Sequence, residues 1–175
     1  LRVNVTRWTT DLCGFDLVGV DASIANAIRR VLIAEVPSVA IEHVYIWNNT
    51  SIIQDEVLSH RLGLIPLAID PRKLSFKMDD EANDQNTVVF NLKADCWKNG
   101  NSKDATVEGR YVYSSQLEWD PKGDQAETMA DSPPRPVNQD IVIAKLAPGQ
   151  GMEMELHCEK GIGKDHAKFS PVATA

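Results

Sequence analysis

DASIANAIRRVLIAEVPSVAIEHVYIWNNTSIIQDEVLSHRLG, residues 21–63, changes its hydrophobic period twice. Over 21–37, Ile24, Ala27, Ile28, Val31 and Leu32 recur at about 100° per residue, which predicts a helix with one apolar stripe. Asp21 or Ser23 can cap its start, and Pro37 ends it. Asn26, Arg29, Arg30 and Ile33 fall on the opposite face. Residues 39–47 then alternate β-branched and aromatic side chains, so a strand follows, and NNTS at 48–51 reads as a turn. QDEVLSHRL, 54–62, fits a second, short helix. Asp55 and Glu56 suit its N-terminal dipole, His60 and Arg61 its C-terminus, and Gly63 with Pro66 stops it.

On either side of this stretch the chain reads as β. Strand candidates are 15–21, 87–94, 110–119, 140–146 and 152–158. Helices cluster early and strands late, which predicts an α+β fold rather than a doubly wound sheet. Two subdomains follow from that pattern, one bearing the helices and one nearly all β. The polar stretches 77–86 and 99–109, and the segment 120–136 with its four prolines, read as surface loops.

The 175 residues are 43% apolar and 25% charged, as expected for a packed core, with a net charge of −7. That acidic balance argues against a sequence-independent grip on nucleic acid, which needs surplus Lys and Arg. No apolar run is long enough to span a membrane. The chain begins at Leu1, so an upstream start is expected. Cys13, Cys96 and Cys158 form no CxxC pair, so a metal site of local cysteine spacing is not predicted. A sparse, odd count fits inert thiols in a reducing compartment.

Arg29 and Arg30 beside an outward Ile33 are open to two readings. One is an ordinary solvated face; the other is a docking face, since the guanidinium fork binds carboxylates bidentately. KGIGKDHAKFS, 160–170, is open to three. As a phosphate loop it fails: Asp165 follows Gly161, Gly163 and Lys164 where a Walker motif needs Ser or Thr, and no third Rossmann glycine or βαβ unit is present. As a catalytic loop it would use His166 with Lys164, but neighbours in sequence rarely converge, and His43, His60 and His157 share no motif with them. As a polar contact loop, its glycines permit close approach and Lys164 and Lys168 meet acidic groups. The residues alone favour an interaction protein over an enzyme.

Residues 26–74, with NAIRRV, NNTS, QDE and HRLGLIPL in order, resemble the α-like subunits of multisubunit RNA polymerases. Residues 145–175, with GIGKDHAKFSPVA, resemble a later segment of the same family, and 75–144 matches only weakly. Within the family the likeness leans toward the larger α-like subunit shared by eukaryotic polymerases I and III. The polymerase II counterpart carries a zinc-binding cysteine cluster in its insert domain, and many archaeal ones an iron–sulfur cluster; here that region holds only Cys96. The resemblance therefore implies no metal and no cofactor. VDAS before the first helix departs from the commoner form of the family.

The resemblance implies a discontinuous dimerization domain, residues 1–64 and 157–175, with helices on one face of an antiparallel sheet, interrupted by a mostly-β insert domain, 65–156. The family continues past SPVATA into a further strand and long helix, so more chain is expected after Ala175. The apolar stripe at Ile24, Ile28 and Val31 would face the chain's own sheet. Ile24 itself, Asn26, Arg29, Arg30 and Ile33 would belong to a subunit interface. Gly161, Gly163, Lys164, His166 and Lys168, with nearby His60, Arg61 and Gly63, would form an assembly loop. The implied partners are a smaller α-like subunit and the second-largest and largest polymerase subunits, with DNA and RNA met only through the complex and no membrane. The implied role is non-catalytic assembly in the nucleus, including the nucleolus. The alternatives are a polymerase II or archaeal paralogue without its metal site, and a stand-alone enzyme using His166 and Lys164.

Overall fold

A computed structural model describes residues 1–77, 81–99 and 106–175. In chain order they form β1 Arg2–Trp8, β2 Cys13–Val18, α1 Ala22–Ala34, β3 Ser38–Asn49, α2 Asp55–Gly63, β4 Leu67–Ala68 and β5 Thr87–Asp95. There follow β6 Trp97–Asn99, β7 Thr106–Glu108, β8 Tyr111–Tyr113, β9 Glu118–Asp120, the one-turn α3 Gln125–Thr128, β10 Arg135–Pro136, β11 Val142–Lys145 and β12 Gly151–Gly161. The fold is α+β, with every paired strand antiparallel. The loops expected at 77–86 and 99–109 lie partly outside the described residues.

One four-stranded sheet, ordered β3–β12–β5–β9, organises the chain. On β12, Met152, Met154, Leu156 and Cys158 are buried, while Glu153, Glu155 and His157 between them are only partly so. The buried set meets Val88, Phe90 and Leu92 of β5, Leu58 and Leu62 of α2, and Ile143 of β11 in one core. α2 is held there because its two leucines, four apart, share one face.

The expected strand 110–119 is broken. Ser114 is buried, and its hydroxyl donates to the Asn138 carbonyl (2.6 Å) and accepts from the Ile141 amide (3.2 Å). A 3-10 turn, Ser114–Gln116, therefore passes the chain from the β8–β11 ladder to β9, the sheet's outer strand. The strand expected at 15–21 runs Cys13–Val18 and pairs with β1 in a separate ribbon.

α1 starts where its cap predicts: the Asp21 carboxylate accepts the Ser23 amide at 2.8 Å. That hydrogen bond holds the Asp21 carboxyl below its usual range. Its stripe does not face the sheet. No residue of α1 is buried, and Ile24 is 54% exposed. Ile24, Ala27, Ile28, Val31 and Leu32 line an open apolar groove of about 490 Å³. The physical reason is occupancy: the sheet's apolar face is already filled by α2 and β11.

The division drawn at 64/65 falls just after α2, and that at 156/157 falls within β12. Leu156 and His157 pair with Val44 and His43 on one side and with Phe90 and Val89 on the other.

Candidate subunit interface

The segment from Gly161 to Ser170 packs where α1 ends, β3 begins and α2 stops. Gly161 pairs with Ser38, and a Cβ there would stand 2.7 Å from the Phe169 ring. The Ser38 hydroxyl donates to the Phe169 carbonyl at 2.6 Å, closing the segment over β3. At Gly163 a Cβ would collide with the Ile33 carbonyl. That contact lets the Lys164 amide donate to the Ala34 carbonyl at 2.8 Å, satisfying one of the acceptors left open at the helix end.

Lys168 closes the other side. Its ammonium donates to the Ile41 carbonyl at 2.9 Å, pairs with the Glu42 carboxylate, and lies 5.3 Å from the Phe169 ring centre. The side chain is only 11% exposed. Gly63 makes room for it: a Cβ would meet the Ile41 carbonyl at 3.2 Å and Lys168 Cδ at 3.6 Å. The His166 ring accepts the Lys168 amide through Nδ1 at 3.1 Å and stands edge-on to His60, centroids 6.3 Å apart.

The structure thus gathers Gly63, His60, Gly161, Gly163, Lys164, His166 and Lys168 into one cluster. It changes what several of them do. The three glycines admit the chain's own carbonyls and ring rather than leaving backbone open to a neighbour. Lys168 spends its charge internally and is not a donor held out to a partner. Lys164, Asp165, His166 and His60 are the exposed members. Arg61 turns away, its guanidinium donating to the Val142 carbonyl at 3.1 Å.

A second group lies along α1. The Arg29 guanidinium donates to the Asn26 side-chain carbonyl at 2.9 and 3.2 Å, which presets its direction on the exposed surface. Arg30 is exposed too, whereas Ile33 is half-buried at the Gly163 contact. Sequence reasoning missed β1 and its pairing with β2, the strand expected at 15–21. Val3, Val5, Trp8, Phe15 and Val18 are exposed on the ribbon, Trp8 by 76%. The alternation of Val3 and Val5 signals a strand with an apolar side to cover.

Among the described residues, no three His, Cys, Asp or Glu side chains could together hold a metal. What the arrangement offers is contact: apolar area along α1 and the ribbon, and mixed charge on the loop.

Comparison with known proteins identifies the source of the pattern. A family model described as the RNA polymerase Rpb3/RpoA insert domain matches residues 44–172. The chain is 48% identical to the mouse (Mus musculus) DNA-directed RNA polymerases I and III subunit RPAC1, over 99% of this chain and 53% of that protein. It is 46% identical to the Saccharomyces cerevisiae subunit of the same name, over 99% of this chain and 55% of that one. Identity to the Arabidopsis thaliana DNA-directed RNA polymerases II, IV and V subunit 3 is 37%, over 99% of this chain and 55% of that protein. The chain spans about half the length of these relatives.

Proposed function

This chain belongs to the Rpb3/RpoA family of RNA polymerase subunits, and from that premise we propose that it is the larger α-like subunit shared by polymerases I and III. The observation that carries the reading is the gap in identity: 48% and 46% to subunits named for polymerases I and III, against 37% to one named for polymerases II, IV and V.

Its role in this reading is non-catalytic. It pairs with a smaller α-like subunit and presents a platform to the second-largest and largest subunits, for transcription of ribosomal, 5S and transfer RNA. Residues 1–64 and 157–175 serve dimerization, and 65–156 form the insert. The uncovered stripe of α1 and the apolar ribbon support a partner, since a contiguous exposed apolar surface is the mark of an interaction site. Asn26, Arg29 and Arg30 on α1, with Lys164, His166 and His60 at the loop, supply the polar contacts to the large subunits. The net charge of −7 agrees with a subunit that meets DNA and RNA only through the complex. The setting is the nucleus, including the nucleolus.

The test is affinity purification of the tagged full-length protein from nuclear extract, with partners identified by mass spectrometry. Recovery of the large subunits of polymerases I and III together is the expected result. Recovery of polymerase II subunits alone would transfer the role to that paralogue, and recovery of no polymerase subunit would overturn it.

A further inference from the structure

Ile52 stands in the turn between β3 and α2 and is 87% exposed. The turn that carries it is closely tied. The Asn49 side-chain carbonyl accepts the Ser51 amide at 3.1 Å and the Ser51 hydroxyl at 2.7 Å. The Asn49 side-chain amide donates to the Ile53 carbonyl at 2.9 Å and to the Asp55 carboxylate at 2.7 Å. Thr50 fastens the turn to the start of β12: its backbone amide donates to the Gly151 carbonyl at 3.0 Å, and its hydroxyl accepts the Gly151 amide at 2.8 Å. An apolar side chain held out on so fixed a backbone loses little further freedom when a partner covers it.

Ile52 divides two grooves of opposite charge. The charged residues lining one, of about 720 Å³, are Asp55 and Glu56, and Asp55 is already held by Asn49. The charged residues lining the other, of about 410 Å³, are Arg110 and Lys145. Its walls are apolar: Val107 of β7, with Ala147 and Pro148 just after β11, over the buried Leu146. Among the described residues neither cation has a carboxylate partner. Lys145 lies 5.4 Å from the Tyr111 ring centre, and a ring face is no counter-charge. Asp95, Glu108 and Asp140 do not line this groove. Apolar walls that carry two unpaired cations select an occupant with an apolar side chain beside a carboxylate.

We infer that the groove between Ile52 and Lys145 docks an acidic segment of another RNA polymerase subunit, which packs an apolar side chain against Ile52 and Val107 and sets its carboxylate on Arg110 and Lys145. Ile52 supplies the anchor, and the two cations supply selectivity. Asp55 and Glu56 on the far side of Ile52 repel the same carboxylate, which fixes the direction in which the segment lies. The site is separate from the contacts proposed for α1 and for the Gly161–Ser170 loop. The inference rests on the reading of the chain as a polymerase subunit.

The experiment places a photo-crosslinking benzoylphenylalanine at position 147, an exposed wall of the groove, in the full-length protein within purified polymerase, and maps the product by mass spectrometry. The expected result is a cross-link to one segment of another subunit, with Asp or Glu beside the point of attachment. Arg110→Glu with Lys145→Glu should lower the yield at least about tenfold, and a compensating Lys at the partner's acidic position should restore it. Ile52→Ser should lower it by a similar factor. All three side chains are exposed, and continued recovery of the α-like heterodimer with each variant controls for folding. Cross-links confined to this chain's own residues, to RNA or to a segment without a carboxylate, or a yield unchanged by the charge reversal, would overturn the docking groove with the subunit assignment intact. Absence of the protein from every polymerase would overturn both.

Discussion

The Lys168 ammonium and the Glu42 carboxylate are ion-paired across the bulge at the start of β3, so the loop's last turn is fastened to the sheet rather than held out to solvent. Lys164, four residues earlier, is exposed. The two lysines therefore separate stability from assembly. Lys168→Met strands the Ile41 carbonyl and a Glu42 that is itself 39% exposed, which tempers the penalty to about 1–3 kcal/mol. Urea denaturation of the full-length heterodimer checks this. Lys164→Glu should change stability by no more than about 0.5 kcal/mol while weakening capture of the second-largest subunit.

Gly163→Ala should be costly for its size. The added methyl meets the Ile33 carbonyl, so either the loop lifts or the bond from the Lys164 amide to Ala34 breaks. Overpacking of this kind costs about 1–3 kcal/mol. Gly149→Ala is the contrasting control for space: its Cβ would meet nothing within 4 Å, although its φ of +86° carries backbone strain. Faster amide exchange over 31–35 in the Gly163 variant but not in the Gly149 variant would locate the damage at the helix end.

Asp70 reports a local charge pair. The Arg72 guanidinium and amide donate to its carboxylate and hold its pKa at about 2. A carboxyl lowered in the folded state adds stability that is whole above the ordinary range near about 4 and is lost as pH falls through the folded value. Carbon-13 NMR of the side chain should show a midpoint near 2, and Arg72→Ala should return it toward about 4.

The cysteines should differ sharply toward a thiol reagent. Burial pushes the Cys158 thiol far up, and Glu159 adds to the shift against a smaller opposing effect of Lys168. Cys13 is exposed. Mass spectrometry after brief alkylation of the native protein should find label at Cys13 and none at Cys158 or Cys96, with all three labelled in denaturant. Early label at Cys158 would mean that β12 is not the centre of the sheet.

Much of this was legible from periodicity. The switch from a 3.6 to a 2.0 repeat at Pro37 locates α1 and β3, and the alternation at 152–158 locates β12. A repeat says that a stripe will be covered but not by what, so the packing of Ile24, Ile28 and Val31 on the chain's own sheet was not decidable from it. The Ser114 break was hidden because its cause is a carbonyl at Asn138, far along the chain. β1 escaped notice because the ribbon has no core of its own and its alternation slips between Val5 and Arg7. Lys168 read as a surface donor because its partners, Ile41 and Glu42, lie more than a hundred residues away. The neighbourhood of His60 and His166 was expected from the family pattern, and its internal wiring was not.

The central place of β12 has a consequence for how the protein is made. β3 and β5 both wait for it, and about 100 residues separate the end of β3 from its start. At a synthesis rate of about 5–20 residues per second, β3 spends about 5–20 seconds outside the ribosome with neither edge paired. A nascent chain in that state is a natural client for chaperones, and a ribosome stalled before residue 151 would release a product that cannot close its sheet.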